Sequence, residues 1–135
     1  MSNSQNKEES ILIIDKTKKT PFIMFDKNKG VIEISGCSIP ENTGEFYWTF
    51  NRWLAEYGMN PAKVTKVKMA LMYMNSSSAV VITRMLRTLD ELIALKTEVI
   101  IEWHYESDDL EMKEIGEHYD ELMKCEIKLI EVDRL

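Results

Sequence analysis

The feature that most constrains the fold is a junction near the middle of the chain, where the spacing of the apolar residues changes. Residues Val67–Met74 follow the two-residue repeat of a β-strand, and both faces of the strand become apolar towards its end. Residues Ile82–Ile93 follow the three-to-four-residue repeat of an amphipathic helix. The polar stretch Asn75–Ser78 lies between them. We therefore predict a central strand covered on both faces, a short turn, and a helix that begins at the hydroxyl residues.

An antiparallel hairpin is predicted ahead of this unit. Its strands are Phe22–Phe25 and Val31–Ile34, and the connecting residues Asp26–Gly30 have the turn chemistry of a hairpin loop. The short apolar run Ile11–Ile14 predicts an additional edge strand. The stretch Ser35–Asn42 contains a glycine and a proline, so it predicts an irregular loop.

Two further helices and two further strands are predicted from the same spacings. The first helix is capped by Asn42 or Thr43 and ends at Gly58, and Lys96 closes the middle helix. The last helix is capped by Ser107 or Asp108. The aromatic face of the first helix is chiefly core, although one or two of its rings are candidates for a partner contact. That face comprises Phe46, Tyr47, Phe50, Trp53 and Tyr57. The apolar residues of the last helix are Met112, Ile115, Tyr119 and Leu122. The two predicted strands are Val99–Tyr105 and Ile127–Val132.

Alternation of strands and helices predicts the fold class. Strands joined by helices require right-handed crossovers and form a largely parallel sheet, to which the hairpin adds an antiparallel edge. The 135 residues fit one domain, which we assign to residues 11–135. Residues 1–10 are predicted to form a disordered tail. The prediction is a single-domain α/β protein with a mixed, mostly parallel sheet and about three main helices.

Composition argues against several classes of protein. The chain has 17 basic and 23 acidic residues, a net charge of -6, and no dense basic stripe, so we expect no nucleic-acid partner. No apolar run approaches the ~20 residues of a membrane span, and the first nine residues lack the order of a signal peptide. These observations predict a cytoplasmic protein without a membrane partner. Cys37 and Cys125 have neither zinc-ligand nor disulfide-framework spacing, so both are expected to be free thiols.

The sequence predicts no cofactor and no metal. Its glycines are scattered, so neither a dinucleotide loop nor a Walker loop is present. The two histidines, His104 in a strand and His118 in a helix, do not have the spacing of metal ligands. The carboxylates at the start of the last helix are expected to form a solvated face: Asp108, Asp109, Glu111, Glu114 and Glu117.

The serines at the junction allow three interpretations. One serine caps the helix and the others occupy its first turn. Alternatively, one serine accepts a phosphoryl group, whose charge the positive end of the helix dipole would favour. A third hypothesis makes Ser76 the nucleophile of a small hydrolase, although the Gly-x-Ser-x-Gly turn is missing and neither histidine can be placed beside it from the sequence.

Four stretches, taken in their order and spacing, resemble the SiaC family of bacterial regulatory phosphoproteins. The resemblance spans roughly residues 20 to 130 and departs from the family's usual residues at Ile39, in place of an aromatic residue, and at Ala79, in place of a basic one. The stretches are Thr20-Pro21 with the following hairpin, Ser35–Asn42 with Phe46-Tyr47 and Trp53-Leu54, Tyr73–Ser78, and Trp103-His104-Tyr105 with Asp108-Asp109.

The resemblance implies a fold, a mechanism and a set of partners. The fold is SpoIIAA-like, of the STAS type. The mechanism is partner switching, in which a kinase phosphorylates a residue at the start of the second helix and a PP2C-type phosphatase removes the phosphate. The unphosphorylated form binds a target, which in the best-known branch is a diguanylate cyclase whose activation raises cyclic di-GMP and favours biofilm formation.

The same resemblance selects one acceptor. The family's acceptor directly follows an asparagine, which carries over onto Ser76 and leaves Ser77 and Ser78 as less favoured acceptors. Asn75 is then the helix cap. We therefore expect a non-enzymatic phosphoprotein, with the serine hydrolase and a purely structural interaction domain as the alternatives.

Overall fold

The computed structural model describes residues 10–135, and nine of the ten residues of the predicted N-terminal tail lie outside this range. Within this range there are six strands and three α-helices, with one π-helical segment directly after the second helix. The predicted edge strand, hairpin, three helices and final strands are all present. The elements are β1 (Ile11–Ile14), β2 (Phe22–Asp26), β3 (Val31–Ser38), α1 (Thr43–Met59), β4 (Val64–Met74), α2 (Ser76–Thr88), the π segment (Leu89–Ile93), β5 (Glu98–Glu106), α3 (Leu110–Leu122) and β6 (Glu126–Val132).

The six strands form one sheet whose spatial order is the order of the sequence. The first three strands pair antiparallel, and β3 to β6 pair parallel. This arrangement confirms the predicted mixed, mostly parallel sheet with an antiparallel edge. Because β4 and β5 are parallel, the helices that follow them begin at the same edge of the sheet.

All three helices cover the same face of the sheet. Residues paired across neighbouring strands point to one face. Phe25 is on this face and its ring lies 5.6 Å from the Phe50 ring of α1, while Trp103 lies 5.3 Å from the Tyr119 ring of α3. The buried row that links them across the sheet is Phe25, Ile32, Val67, Ile101 and Ile127.

The prediction that β4 is covered on both faces was wrong. Lys66 and Lys68 alternate with the buried residues and are exposed on the opposite face. Met72, which suggested a second covered face, is 50% exposed. Apolar residues near the end of a strand therefore do not require a second layer of helices, and no helix of residues 10–135 covers this second face, the open face.

Three predicted boundaries were also wrong. The expected loop after β3 is strand as far as Ser38, because a bulge between Gly36 and Cys37 lets the strand continue beside β4. The first helix continues past Gly58 to Met59, and Gly58 lacks the positive φ of a terminating glycine. The cap of α3 is Asp109, whose side chain accepts from the Met112 amide, and neither Ser107 nor Asp108.

The aromatic face of α1 is mostly core, as predicted. Tyr47, Phe50 and Tyr57 are buried, while Phe46 and Trp53 are partly buried and pack against the core. The first helix is capped by Asn42, one of its two predicted caps. The exposed aromatic residue of this helix is Trp48, which is 57% exposed and is not part of the predicted aromatic face.

The π segment after α2 is anchored by a buried carboxylate. Asp90 is 8% exposed and accepts hydrogen bonds from the backbone amides of Lys124 at 3.0 Å and Cys125 at 2.7 Å. These bonds tie the end of the second helix to the loop before β6. Burial, followed by the hydrogen bond and the charge of Asp90, raises the pKa of the Cys125 thiol to about 12.

We expect Cys125 to resist alkylation near neutral pH, and Asp90→Asn to make it more reactive. The substitution removes a negative charge that stabilises the protonated thiol, so the thiol pKa falls. Each pKa unit of this decrease raises the thiolate fraction about tenfold at pH 8. Iodoacetamide labelling followed by mass spectrometry measures the rate. Cys37 is the control in the same molecule, and an equal rise at both thiols would indicate general loosening and contradict the electrostatic explanation.

Candidate phosphorylation site at the start of the second helix

The start of α2 is built around Asn75. This residue is the N-cap, and its side-chain oxygen accepts from the Ser78 amide at 2.9 Å. Its own amide donates to the Ser38 carbonyl at 3.0 Å, which fixes the turn to the end of β3. Asn75 thus satisfies one of the orphan amides of the helix and leaves the three serines in its first turn.

Ser78 is fully buried and belongs to a hydroxyl network. Its hydroxyl accepts from Ser38 Oγ at 2.8 Å and donates to the Ser38 carbonyl at 3.0 Å. Tyr47 Oη lies 2.6 Å from Ser38 Oγ, and it must be the donor because the Ser38 proton is used toward Ser78. Burial raises the pKa of Tyr47 to about 12, which keeps this donor protonated. The network joins β3, α1 and α2, so Ser78 has a structural role.

Ser77 connects the starts of two helices. Its hydroxyl lies 2.7 Å from Thr43 Oγ1 in the first turn of α1 and donates to Asn75 Oδ1 at 3.2 Å. The residue is exposed, but both contacts restrict its rotamer. A reaction at this oxygen would have to break the link between α1 and α2.

Ser76 differs from both of its neighbours. It is exposed, and its hydroxyl has no hydrogen-bond partner within residues 10–135. It is the first residue of α2, where the helix dipole favours a negative charge. Large apolar side chains lie close to it in the sequence, with Tyr73 and Val80 each 55% exposed. Of the three serines, Ser76 is therefore the one whose hydroxyl is exposed and unbonded within residues 10–135.

The hydroxyl network could not have been found from the sequence. Ser38 and Ser78 are 40 residues apart, and neither lies in a motif that links them. Thr43 and Ser77, which are in contact, are 34 residues apart, and no sequence pattern predicts this contact either. The distinction among the three serines is thus a product of tertiary structure.

Neither histidine is hydrogen-bonded to a serine at the start of α2. His104 lies on the open face of the sheet, where its Nε2 is 3.0 Å from Glu102 Oε1, while the serines start a helix on the covered side. His118 is exposed on α3. Among residues 10–135, no cluster of three or more His, Cys, Asp or Glu side chains could hold a metal ion. No helix in that range is long and apolar enough to span a bilayer.

Comparison with proteins of known sequence finds a similar protein in Pseudomonas aeruginosa. It is 28% identical over 112 residues to the uncharacterized protein PA14_02130 of strain UCBPP-PA14, covering 83% of this chain and 89% of that protein. The family model for the SiaC family regulatory phosphoprotein matches residues 14–132.

Solved structures show the same relationship. A chain in the crystal structure of the diguanylate cyclase SiaD in complex with its activator SiaC from P. aeruginosa superposes with a TM-score of 0.83 at 25% identity, covering 90% of this chain and 99% of that chain. The crystal structure of apo-SiaC from P. aeruginosa gives a TM-score of 0.82 at 26% identity, covering 90% and 98%. The fold is therefore SpoIIAA-like, as predicted, and the chain belongs to the SiaC family of regulatory phosphoproteins.

Proposed function

We propose that this protein is a non-enzymatic, cytoplasmic regulator that is reversibly phosphorylated on Ser76. The observation that carries the proposal is the contrast among the three serines. Ser76 is exposed and has an unbonded hydroxyl, Ser77 is bonded to α1, and Ser78 is buried. A kinase can reach the Ser76 hydroxyl without disturbing the helix start, and a PP2C-type phosphatase can reach the phosphate.

The unphosphorylated protein would bind a target through the surface around α2. Tyr73 and Val80 supply exposed apolar area close to Ser76, and α2 contains Arg84 and Arg87 but no acidic residue. A phosphate adds a charge of about -1.5 to -2 and would be costly to desolvate in such an interface. Because SiaC is the activator of the diguanylate cyclase SiaD in the similar structure, we propose a diguanylate cyclase as the target.

The geometry favours this function over a serine hydrolase. A hydrolase needs a base within hydrogen-bond reach of its nucleophile and groups that stabilise the oxyanion. Ser76 has no such base among residues 10–135, and Glu102 holds His104 on the open face of the sheet. A purely structural helix start would have no need of a hydroxyl at position 76, because the Ser76 hydroxyl bonds to nothing within residues 10–135, and this supports a role for it outside the fold.

Incubation with the cognate kinase and ATP, followed by mass spectrometry, tests the acceptor. We expect one phosphate on Ser76 and none on a Ser76→Ala variant, while Ser77→Ala should still be phosphorylated. We further expect Ser76→Asp to bind the cyclase at least about tenfold more weakly than Ser76→Ala, a difference of about 1.4 kcal/mol. Phosphate on another residue, or equal binding by the two variants, would overturn the proposal.

A further inference from the structure

Four charged residues of alternating sign stand side by side on the open face of the sheet. Glu33 of β3 is directly opposite Lys68 of β4, and Lys68 is directly opposite Glu102 of β5. Glu102 is in turn opposite Lys128 of β6. Residues directly opposite on neighbouring strands point to the same face of a sheet. These four residues, the charge row, therefore cross the open face in the order negative, positive, negative, positive.

The charges of this row are not neutralised within one copy of the protein. No member of the charge row forms an ion pair with another member within residues 10–135. Lys68 is exposed and forms no ion pair at all in that range, and Glu33 accepts from the Ser35 hydroxyl at 3.2 Å. The side chains of Glu102 and Lys128 are 43% and 50% exposed. The charge row is thus accessible to a molecule that lies on the open face.

An alternating row of even length is complementary to itself when it is reversed. A two-fold axis that runs along the strands, midway between β4 and β5, exchanges β4 with β5 and β3 with β6 of a second copy. It sets Glu33 against Lys128 and Lys68 against Glu102, and the symmetry repeats each contact, which gives four attractive pairs. A two-fold axis along the row would instead set each charge against its own copy. The charge row therefore selects one arrangement, in which the strands of the two sheets are roughly aligned.

The neighbouring row of the open face is compatible with the same arrangement. Two residues earlier on each strand, Val31, Lys66, Ile100 and Glu126 follow one another across β3 to β6. The reversal sets Lys66 against Ile100 and Val31 against Glu126, so no two like charges meet. The aliphatic part of each charged side chain can then cover an apolar partner. Val31, Lys66 and Ile100 line a shallow hollow of about 290 Å³ together with the charge row, and lysine side chains of a second copy would enter it.

We propose that two copies of this protein associate through their open faces as a symmetric dimer. The overlap of β3 to β6 is about 19 Å wide and about 23 Å long, or about 440 Å² of flat sheet on each copy. A standard interface buries ~800 Å² on each partner, so this dimer is weak, with a dissociation constant on the order of 10 to 100 μM. Because the helices lie on the other side of the sheet, Ser76 stays exposed in both copies. Dimerisation is therefore independent of the proposed phospho-switch.

Two charge reversals that fail alone and succeed together test the arrangement. In a dimer of Lys68→Glu, a glutamate would meet Glu102 twice, and in a dimer of Glu102→Lys, a lysine would meet Lys68 twice. We expect each variant alone to dimerise at least about tenfold more weakly than the wild-type protein. An equimolar mixture should dimerise about as well as the wild type, because all four pairs of the mixed dimer are attractive. Sedimentation equilibrium of the full-length proteins at several concentrations up to about 500 μM measures the association.

Salt should weaken the dimer if the charge row holds it together. Raising NaCl from about 0.1 to 1 M shortens the Debye length from about 10 to about 3 Å. We expect the dissociation constant of the wild-type dimer to rise at least about threefold over this range. A dimer that tightens with salt would be held by apolar contacts and would contradict the role of the charge row.

Lys29→Glu and Glu117→Lys are the matched controls. They make the same two charge changes at exposed residues of the hairpin turn and of α3, outside the open face. Both variants should dimerise like the wild type, and so should Ser76→Asp, because Ser76 lies on the helix side of the sheet. The proposal is overturned by a wild-type protein that is monomeric at about 500 μM, by a mixture that associates no better than its separate variants, or by loss of the dimer in Ser76→Asp. None of these results would bear on phosphorylation of Ser76 or on binding of the cyclase.

Discussion

Replacing Ser78 with aspartate is expected to lower the free energy of unfolding by about 3 to 5 kcal/mol. Ser78 is 0% exposed, and its hydroxyl is held by the Ser38 hydroxyl and carbonyl. A carboxylate there would lie against the Ser38 carbonyl oxygen, to which Ser78 now donates, and it would have no cation beside it. An uncompensated buried charge of this kind is among the most destabilising of single changes.

Replacing Ser76 with aspartate, two residues earlier, should instead raise the free energy of unfolding. Ser76 is exposed and begins α2, where the helix dipole stabilises a negative charge by about 0.3 to 1 kcal/mol. Urea unfolding of Ser76→Asp and Ser78→Asp, with Ser78→Ala as the neutral control, measures the contrast. The alanine variant should lose only about 1 to 3 kcal/mol, and a Ser78→Asp variant as stable as Ser76→Asp would contradict the structural role of Ser78.

This contrast matters for any experiment on the phospho-switch. Loss of binding by Ser76→Asp in a protein of undiminished stability would report on the interface, because the fold is intact. Loss of binding by Ser78→Asp would report chiefly on unfolding. A stability measurement therefore separates a signalling effect from a folding effect at adjacent serines.

The elements of the fold were accessible from the sequence because they depend on local spacing. The change of apolar repeat at Asn75 placed the start of α2, and its side chain caps the helix in the structure. Details that depend on distant contacts were missed. Gly58 looked like a helix end, but α1 continues past it to Met59, and Lys96 Nζ, 38 residues away, donates to the Gly58 carbonyl at 3.3 Å.

The candidate site was accessible only in part for the same reason. The hydroxyl run at Ser76 was visible, but no physical argument from the local residues distinguished one serine from another. That reason lies in Ser38 and Thr43, which reach the run from other elements. The open sheet face was missed because Met72 is apolar and yet exposed, so burial could not be inferred from residue type.

Gly116 on α3 is the position where adding one methyl group should disturb the packing of the helix on the sheet. A Cβ atom there would meet the Trp103 ring, with Nε1 at 2.8 Å, and Leu129 Cδ2 at 2.6 Å. Trp103 has little room to move, because it is 1% exposed and its Nε1 donates to the Met112 carbonyl at 2.9 Å. The absence of a side chain at Gly116 is therefore what lets α3 lie close to the sheet.

We expect Gly116→Ala to lower the free energy of unfolding by about 2 kcal/mol, because overpacking costs about 1 to 3 kcal/mol and outweighs the better helix propensity of alanine. Gly44→Ala is the matched control, since it makes the same change in the first turn of α1, where the nearest atom is 3.8 Å away. It should be neutral or stabilising by up to about 0.5 kcal/mol. Urea unfolding measures both, and a destabilised Gly44→Ala with an unaffected Gly116→Ala would contradict the packing argument.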